Sequence, residues 1–258
     1  MCEATYNPTQ FALEIEFEER IETVLRRHTA VLCWNEAGVS PIADRKDSAT
    51  CCLIQTEELR FAVTCAHVWQ GFQDAAKKGA DNLWLGLVRS DDTLAPVLAL
   101  KVHNPTLKGA HQSFDLAPFT FDEINSLEPW RFHHLRHRRR EQVASGEGVF
   151  FLASTGDELR GASANCRLGY TRFALTVAGV SYGQFQLHDP PGSRHQTDRR
   201  AEEIQPQRIT GVSGAPVFRL GNLGPSPLDL ALAGVVSGLS SPGLSGSSQE
   251  PIGIGSVG

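Results

Sequence analysis

Ser213 stands in the run Gly211-Val212-Ser213-Gly214-Ala215-Pro216-Val217. Glycine takes backbone conformations closed to other residues and lets the main chain approach a substrate, so this composition suits a tight nucleophile turn. Backbone N–H groups in such a turn can converge on the oxyanion of a tetrahedral intermediate. Alone the pattern is weak, because Gly-Ser-Gly turns are common. A serine hydroxyl also needs a base. His67 lies in Thr64-Cys65-Ala66-His67-Val68, directly after the apolar run Leu59–Val63. A histidine at the end of a buried strand is held rigidly and still reaches a cleft, and an imidazole can take a proton from serine and return it to a leaving amine. No other histidine in the chain follows a strand with these flanks. Asp115, in Ser113-Phe114-Asp115-Leu116-Ala117-Pro118-Phe119, is flanked by apolar residues, where burial is expected. A buried carboxylate needs a partner, and an imidazole N–H supplies one while fixing the histidine tautomer. Singly, each residue has an ordinary explanation: a loop serine, a structural histidine, a turn or capping aspartate. Jointly they are the nucleophile, base and orienting carboxylate of acyl transfer.

Such residues need rigid elements to carry them. Short β-rich runs occur at Ala30–Trp34, Cys51–Gln55, Leu59–Thr64, Leu83–Val88, Val97–Val102, Val149–Ala153, Phe173–Val180, Phe185–Leu187 and Leu230–Ser237. Gly, Pro, Asp and Asn fall between most of them, the pattern of a sandwich or barrel. Strands do not alternate with long helices, which argues against a doubly wound α/β fold. Before the first strand, residues 11–27 carry Ile21, Val24 and Leu25 among many charges, a spacing that predicts an amphipathic helix over at least their second half. Between Asn125 and Gly146 lies RFHHLRHRRR (residues 131–140). It has two readings, a solvated connector or a site for an acidic partner or nucleic acid. Residues 189–203 read as a long surface loop. The Gly- and Ser-rich tail keeps one short apolar run, Pro251–Ile254.

The 258 residues suffice for one large domain or two small cores, and 41% hydrophobic against 21% charged residues is too apolar for disorder. A net charge of -5 argues against a general nucleic-acid binder. The first residues lack a basic segment followed by an apolar core, so no signal peptide is expected. No apolar run approaches the roughly 20 residues that span a bilayer, so no membrane partner is expected. The six cysteines show no CxxC spacing. They read as small buried thiols, with one or two disulfides as the alternative. A cytoplasmic location follows.

The motifs TCAH, DLA and GVSGAP, in the order His, Asp, Ser and with room for a half-barrel between each pair, resemble the trypsin-like serine protease family, in particular its bacterial and intracellular branches. Leu232-Ala233-Gly234-Val235-Val236-Ser237-Gly238 is similar to the strand that lines the family's substrate cleft, and Gly146–Ala153 to the opening of its second barrel. The resemblance spans roughly residues 30 to 257. It implies an all-β fold of two packed six-stranded antiparallel β-barrels of the chymotrypsin type, here with a short N-terminal helix. Residues 1–29 would form the helical segment, 30–125 the first barrel with His67 and Asp115, 126–147 a basic connector, and 148–258 the second barrel with Ser213. It further implies a serine endopeptidase acting on a protein or peptide substrate through an acyl-enzyme. Gly211 and Ser213 N–H groups would form the oxyanion hole, and Gln207, Ser237 and Gly238 would line the substrate site. No metal and no cofactor are expected. A regulatory protein partner or domain is the further expectation, with the N-terminal helix as its contact.

Four features depart from the family. Ser48-Ala49-Thr50-Cys51 replaces a Gly-Ser-Gly-Phe run, and Val68 stands where secreted animal relatives carry a disulfide cysteine. Val212 precedes the serine where zymogen-type members carry the aspartate that pairs with a new N-terminal ammonium. The family's C-terminal helix has no counterpart before Gly258, as expected of a shortened piece of a longer chain or of a second barrel that closes differently. Two rival readings remain: an inactive member of the same fold serving as a binding or scaffold module, and an unrelated β-rich binding protein. The order of the three residues argues against an α/β-hydrolase esterase, whose order is Ser, Asp, His.

Overall fold

The computed structural model describes residues 19–36, 47–87, 98–135, 143–153, 171–181, 184–188, 196–197, 212–220, 230–237 and 252–255. Helix α1 (residues 19–28) runs directly into β1 (Thr29–Asn35). Then follow β2 (Asp47–Gln55), β3 (Arg60–Cys65), helix α2 (Ala66–Ala76), β4 (Asn82–Leu87), β5 (Leu98–Val102), β6 (Thr106–Leu107), β7 (Leu116–Thr120) and β8 (His133–His134). These eight strands form one sheet in the order β5-β4-β1-β2-β3-β7-β6, with β8 alongside β2. Six of them are five residues or longer, and only the β2–β8 pair is parallel.

The second sheet contains β9 (Gly148–Ala153), β10 (Thr171–Ser181), β11 (Gln184–His188), β12 (Gln196–Thr197), β13 (Pro216–Leu220), β14 (Leu230–Val236) and β15 (Ile252–Gly255). Its order is β11-β15-β14-β13-β9-β10-β12, and β11 also pairs with β10. That last pairing closes six strands into a ring and leaves the two-residue β12 beside it. Closure removes the free edges at which another chain could add a strand.

Several strands read as continuous apolar runs because both of their faces are covered. On β1, Ala30, Leu32 and Trp34 enter the first core, while Val31 faces a seam where the two sheets meet. On β9, Val149, Phe151 and Ala153 enter the second core and Phe150 and Leu152 face the seam. Helix α1 lies in that seam: Ile21 and Leu25 pack with Val31, Leu152, Phe218 and Leu230. Each of these two helix side chains is at most 2% exposed, and burying it contributes about 2 kcal/mol. The expected N-terminal helix is therefore present, and its apolar stripe joins the two sheets from behind.

The arginine- and histidine-rich stretch is described only to Leu135. There Arg131 and Phe132 are buried against the first sheet, Arg131 pairs with Glu128 at 2.6 Å, and His133–His134 is the strand beside β2. Cys33, Cys51, Cys52 and Cys65 are buried and form no disulfide among the described residues, and Cys2 and Cys166 lie outside them.

Candidate active site

Helix α2 begins immediately after β3, so His67 occupies its first turn. Cys65, at the cap position, makes no side-chain cap bond. The exposed N–H groups of a helix start need acceptors, and Asp115 provides them from across the sheet. Its carbonyl accepts the Ala66 N–H at 3.0 Å, and its Oδ1 accepts the His67 N–H at 3.0 Å. Its Oδ2 accepts the His67 Nδ1–H at 2.6 Å. One aspartate thus caps the helix and orients the imidazole. Since a carboxylate only accepts, His67 carries its proton on Nδ1 and leaves Nε2 as the free base.

Asp115 reaches this position at a strained corner. It follows the 3-10 turn Gln112–Phe114 with φ 51° and ψ 43°, the left-handed region that aspartate tolerates better than most residues. A closed loop holds the corner. His111 N–H donates to Leu116 O at 2.8 Å, Leu116 N–H returns to His111 O at 3.2 Å, and Asp115 N–H donates to Gln112 O at 3.2 Å. From the second sheet, Gln184 Nε2 donates to Ser113 O at 3.0 Å. The side chain is 29% exposed and His67 51%. The flanking apolar residues had suggested a buried carboxylate, but the left-handed corner turns it toward the surface.

Ser213 comes from the second sheet, in the turn before β13. Its carbonyl accepts the Thr50 N–H of β2 at 2.9 Å, and Thr64 Oγ1 donates to the Thr50 carbonyl at 3.0 Å. Gly214 has φ +89°, and its N–H donates to Val236 O of β14 at 2.8 Å. A Cβ on Gly214 would lie 1.9 Å from Thr50 O and 2.5 Å from Thr64 Oγ1. Both the conformation and the close approach therefore require glycine, and this approach brings the serine turn against the strand that leads to His67. Val212 is buried in the second core. Ser237 directly follows β14 and is half-buried. Gly211, Gln207 and Gly238 lie outside the described residues.

Behind the pair sits Cys65, which the residue patterns did not single out. Its Sγ donates to Val236 O at 2.9 Å. Cys65, His67 and Asp115 each place a potential ligand atom within 4.8 Å of the others, which raises the question of a metal. A zinc site needs the thiolate. Burial and the charge of Asp115 push the Cys65 thiol well up, so it keeps its proton. Burial likewise holds Cys51 and Cys52 protonated. In this arrangement Cys65 donates to Val236 O while Asp115 holds His67 through its backbone N–H and its ring, a supported histidine–carboxylate pair.

No family model matches the sequence, and no curated protein matches it. Solved structures do, with 390 matching chains. One, titled "Structure of GrC", a granzyme with the chymotrypsin fold, aligns over 91% of this chain and 91% of its own, at 14% identity and a TM-score of 0.50. Identity this low speaks to architecture alone. The two curled antiparallel sheets and this likeness together give the chain a chymotrypsin-like two-barrel fold.

Proposed function

We propose that the chain is a serine endopeptidase of the trypsin-like kind, with Ser213 as nucleophile, His67 as general base and then general acid, and Asp115 as the orienting carboxylate. The observation that carries this reading is the double grip of Asp115 on His67, through the backbone N–H and through Nδ1. That grip leaves Nε2 to accept a proton, and the serine turn is bonded to β2, the neighbour of the strand that leads to His67. Ser213 Oγ attacks the scissile carbonyl and its proton passes to His67 Nε2. The imidazolium then protonates the leaving amine, and water repeats the sequence on the acyl-enzyme. The N–H groups of Gly211 and Ser213 stabilise the oxyanion.

The substrate is a protein or peptide, held along Ser237 and Gly238. By the family resemblance Gln207 would stand at the base of the primary pocket, and a neutral amide there would give little preference for Lys or Arg before the scissile bond, because a desolvated cation would lack a counter-charge. No zymogen-type ammonium switch operates. Val212 is packed among apolar side chains, where an ammonium would be buried without a carboxylate. Control then rests on a partner or on ordering of loops, and the buried thiols suit a reducing, cytoplasmic setting.

A fluorophosphonate probe tests the proposal on the intact chain. Mass spectrometry is expected to find the adduct on Ser213, and labelling is expected to fall by about four orders of magnitude or more in Ser213→Ala or His67→Ala. A chain that takes no probe, or one whose labelling ignores His67, would leave an inactive scaffold of the same fold. Labelling that appears only after trimming near residue 30 would overturn the absence of a zymogen switch.

A further inference from the structure

We infer that Cys65 is a positioning residue of the His67–Asp115 pair, its thiol tying the end of the strand before His67 to the carbonyl that also holds the nucleophile turn, across the junction of the barrels. This inference rests on the peptidase reading for its catalytic consequence, but not for its geometry. Cys65 is the last residue of β3 and is fully buried. Its Sγ donates to Val236 O at 2.9 Å, and the same carbonyl accepts the Gly214 N–H at 2.8 Å. The sulfur also lies within 4.8 Å of the Asp115 carboxylate and the His67 ring. One atom therefore bonds the carbonyl that also holds the residue after Ser213, and lies beside the Asp115 carboxylate.

Two physical consequences follow. The thiol donates its one proton to Val236 O, so it stands beside the Asp115 carboxylate as a neutral group without a competing charge. A thiolate there would repel Asp115, and burial together with the carboxylate keeps that form from arising. Second, Asp115 and His67 belong to one barrel and Gly214 and Val236 to the other, so the thiol bond fixes their relative position. Small misplacements of reacting groups are costly to rate.

A packing role and a positioning role rank substitutions in opposite orders. Cys65→Ala and Cys65→Val remove the donor, and valine keeps the apolar bulk. Cys65→Ser keeps a donor but places a more polar group in the core. If Cys65 positions Asp115, serine retains most of the fluorophosphonate labelling rate, while alanine and valine lose roughly three- to tenfold, the effect of one hydrogen bond. The acid limb of labelling against pH moves in alanine and valine and stays in place in serine. In proton spectra of the unlabelled protein, the His67 Nδ1–H resonance shifts in alanine and valine and is restored in serine. Equal labelling, pH profile and resonance in wild type and Cys65→Ala would overturn the inference, as would valine outperforming serine in both. A wild-type chain that takes no probe sinks the peptidase reading, and the resonance comparison still decides the role of Cys65.

Discussion

Gly214 carries two demands that no other residue meets together: a positive φ and a Cβ direction blocked by the Thr50 carbonyl and the Thr64 hydroxyl. Gly214→Ala is therefore expected to push the serine turn off β2 and break the Thr50–Ser213 bond. Displacement of a nucleophile by about 1 Å can cost roughly a hundredfold in rate, and overpacking costs about 1–3 kcal/mol in stability. Probe-labelling kinetics beside urea denaturation measure both, and an alanine variant that labels at the wild-type rate would refute the account. The pairing of His67 with Asp115 was legible in the sequence because it is carried by residue type and local flank. Cys65 was not, because its role depends on Val236 and Gly214, which only the folded chain brings near. The left-handed corner at Asp115 was equally hidden, since Phe114 and Leu116 suggest only burial.

At the scale of elements, α2 holds the His67 ring against the Asp115 carboxylate. Val68, Trp69 and Phe72 face inward, and the Trp69 ring lies 5.0 Å from Phe119 of β7 and 5.7 Å from Phe72. Trp69 thus pins the helix bearing His67 to the strand that follows Asp115. Trp69→Ala is expected to lower unfolding free energy by about 3–5 kcal/mol and to slow probe labelling, whereas Trp69→Phe keeps most of both. Denaturation and labelling of the two variants check this, and labelling untouched in a destabilised alanine variant would separate α2 from the geometry of the pair. The sequence reading missed α2. Its Val68 and Trp69 extend the apolar run of β3, and its cap comes from Asp115 rather than from a neighbouring Ser, Thr or Asp. β7 and β13 were missed for a related reason: each is five residues long, contains a proline, and follows a motif read for its chemistry. The longer runs on β1, β2, β9 and β10 were readable because burial on one or both faces leaves a sustained apolar signal.

Across the whole molecule, the seam beneath α1 joins the barrels and holds two half-buried histidines. His28 Nδ1–H donates to Arg131 O at 3.2 Å, and the His28 and His133 rings lie 5.9 and 5.3 Å from Phe218. Burial lowers His28 to about 4, with Arg27 and His134 adding to the effect against the bond to Arg131, and lowers His133 to about 3, with His28 and His134 adding. The unfolded chain protonates these rings near pH 6.5, before the folded one does. Stability is therefore complete above that pH and is lost as pH falls toward 4. The expected loss by pH 4.5 is on the order of 2 kcal/mol per ring. Urea denaturation at pH 7 and 4.5 measures it, and His133→Phe should remove part of the difference; an identical difference in that variant would show that the acid sensitivity lies elsewhere. The same seam dictates an order of events during synthesis. Residues 19–28 are made before either barrel, yet the surface that covers Ile21 and Leu25 includes Phe218 and Leu230 of the second barrel, which are made much later. The first barrel can form while the helix before it waits with its apolar stripe largely uncovered, and the arrival of β13 and β14 completes its seat.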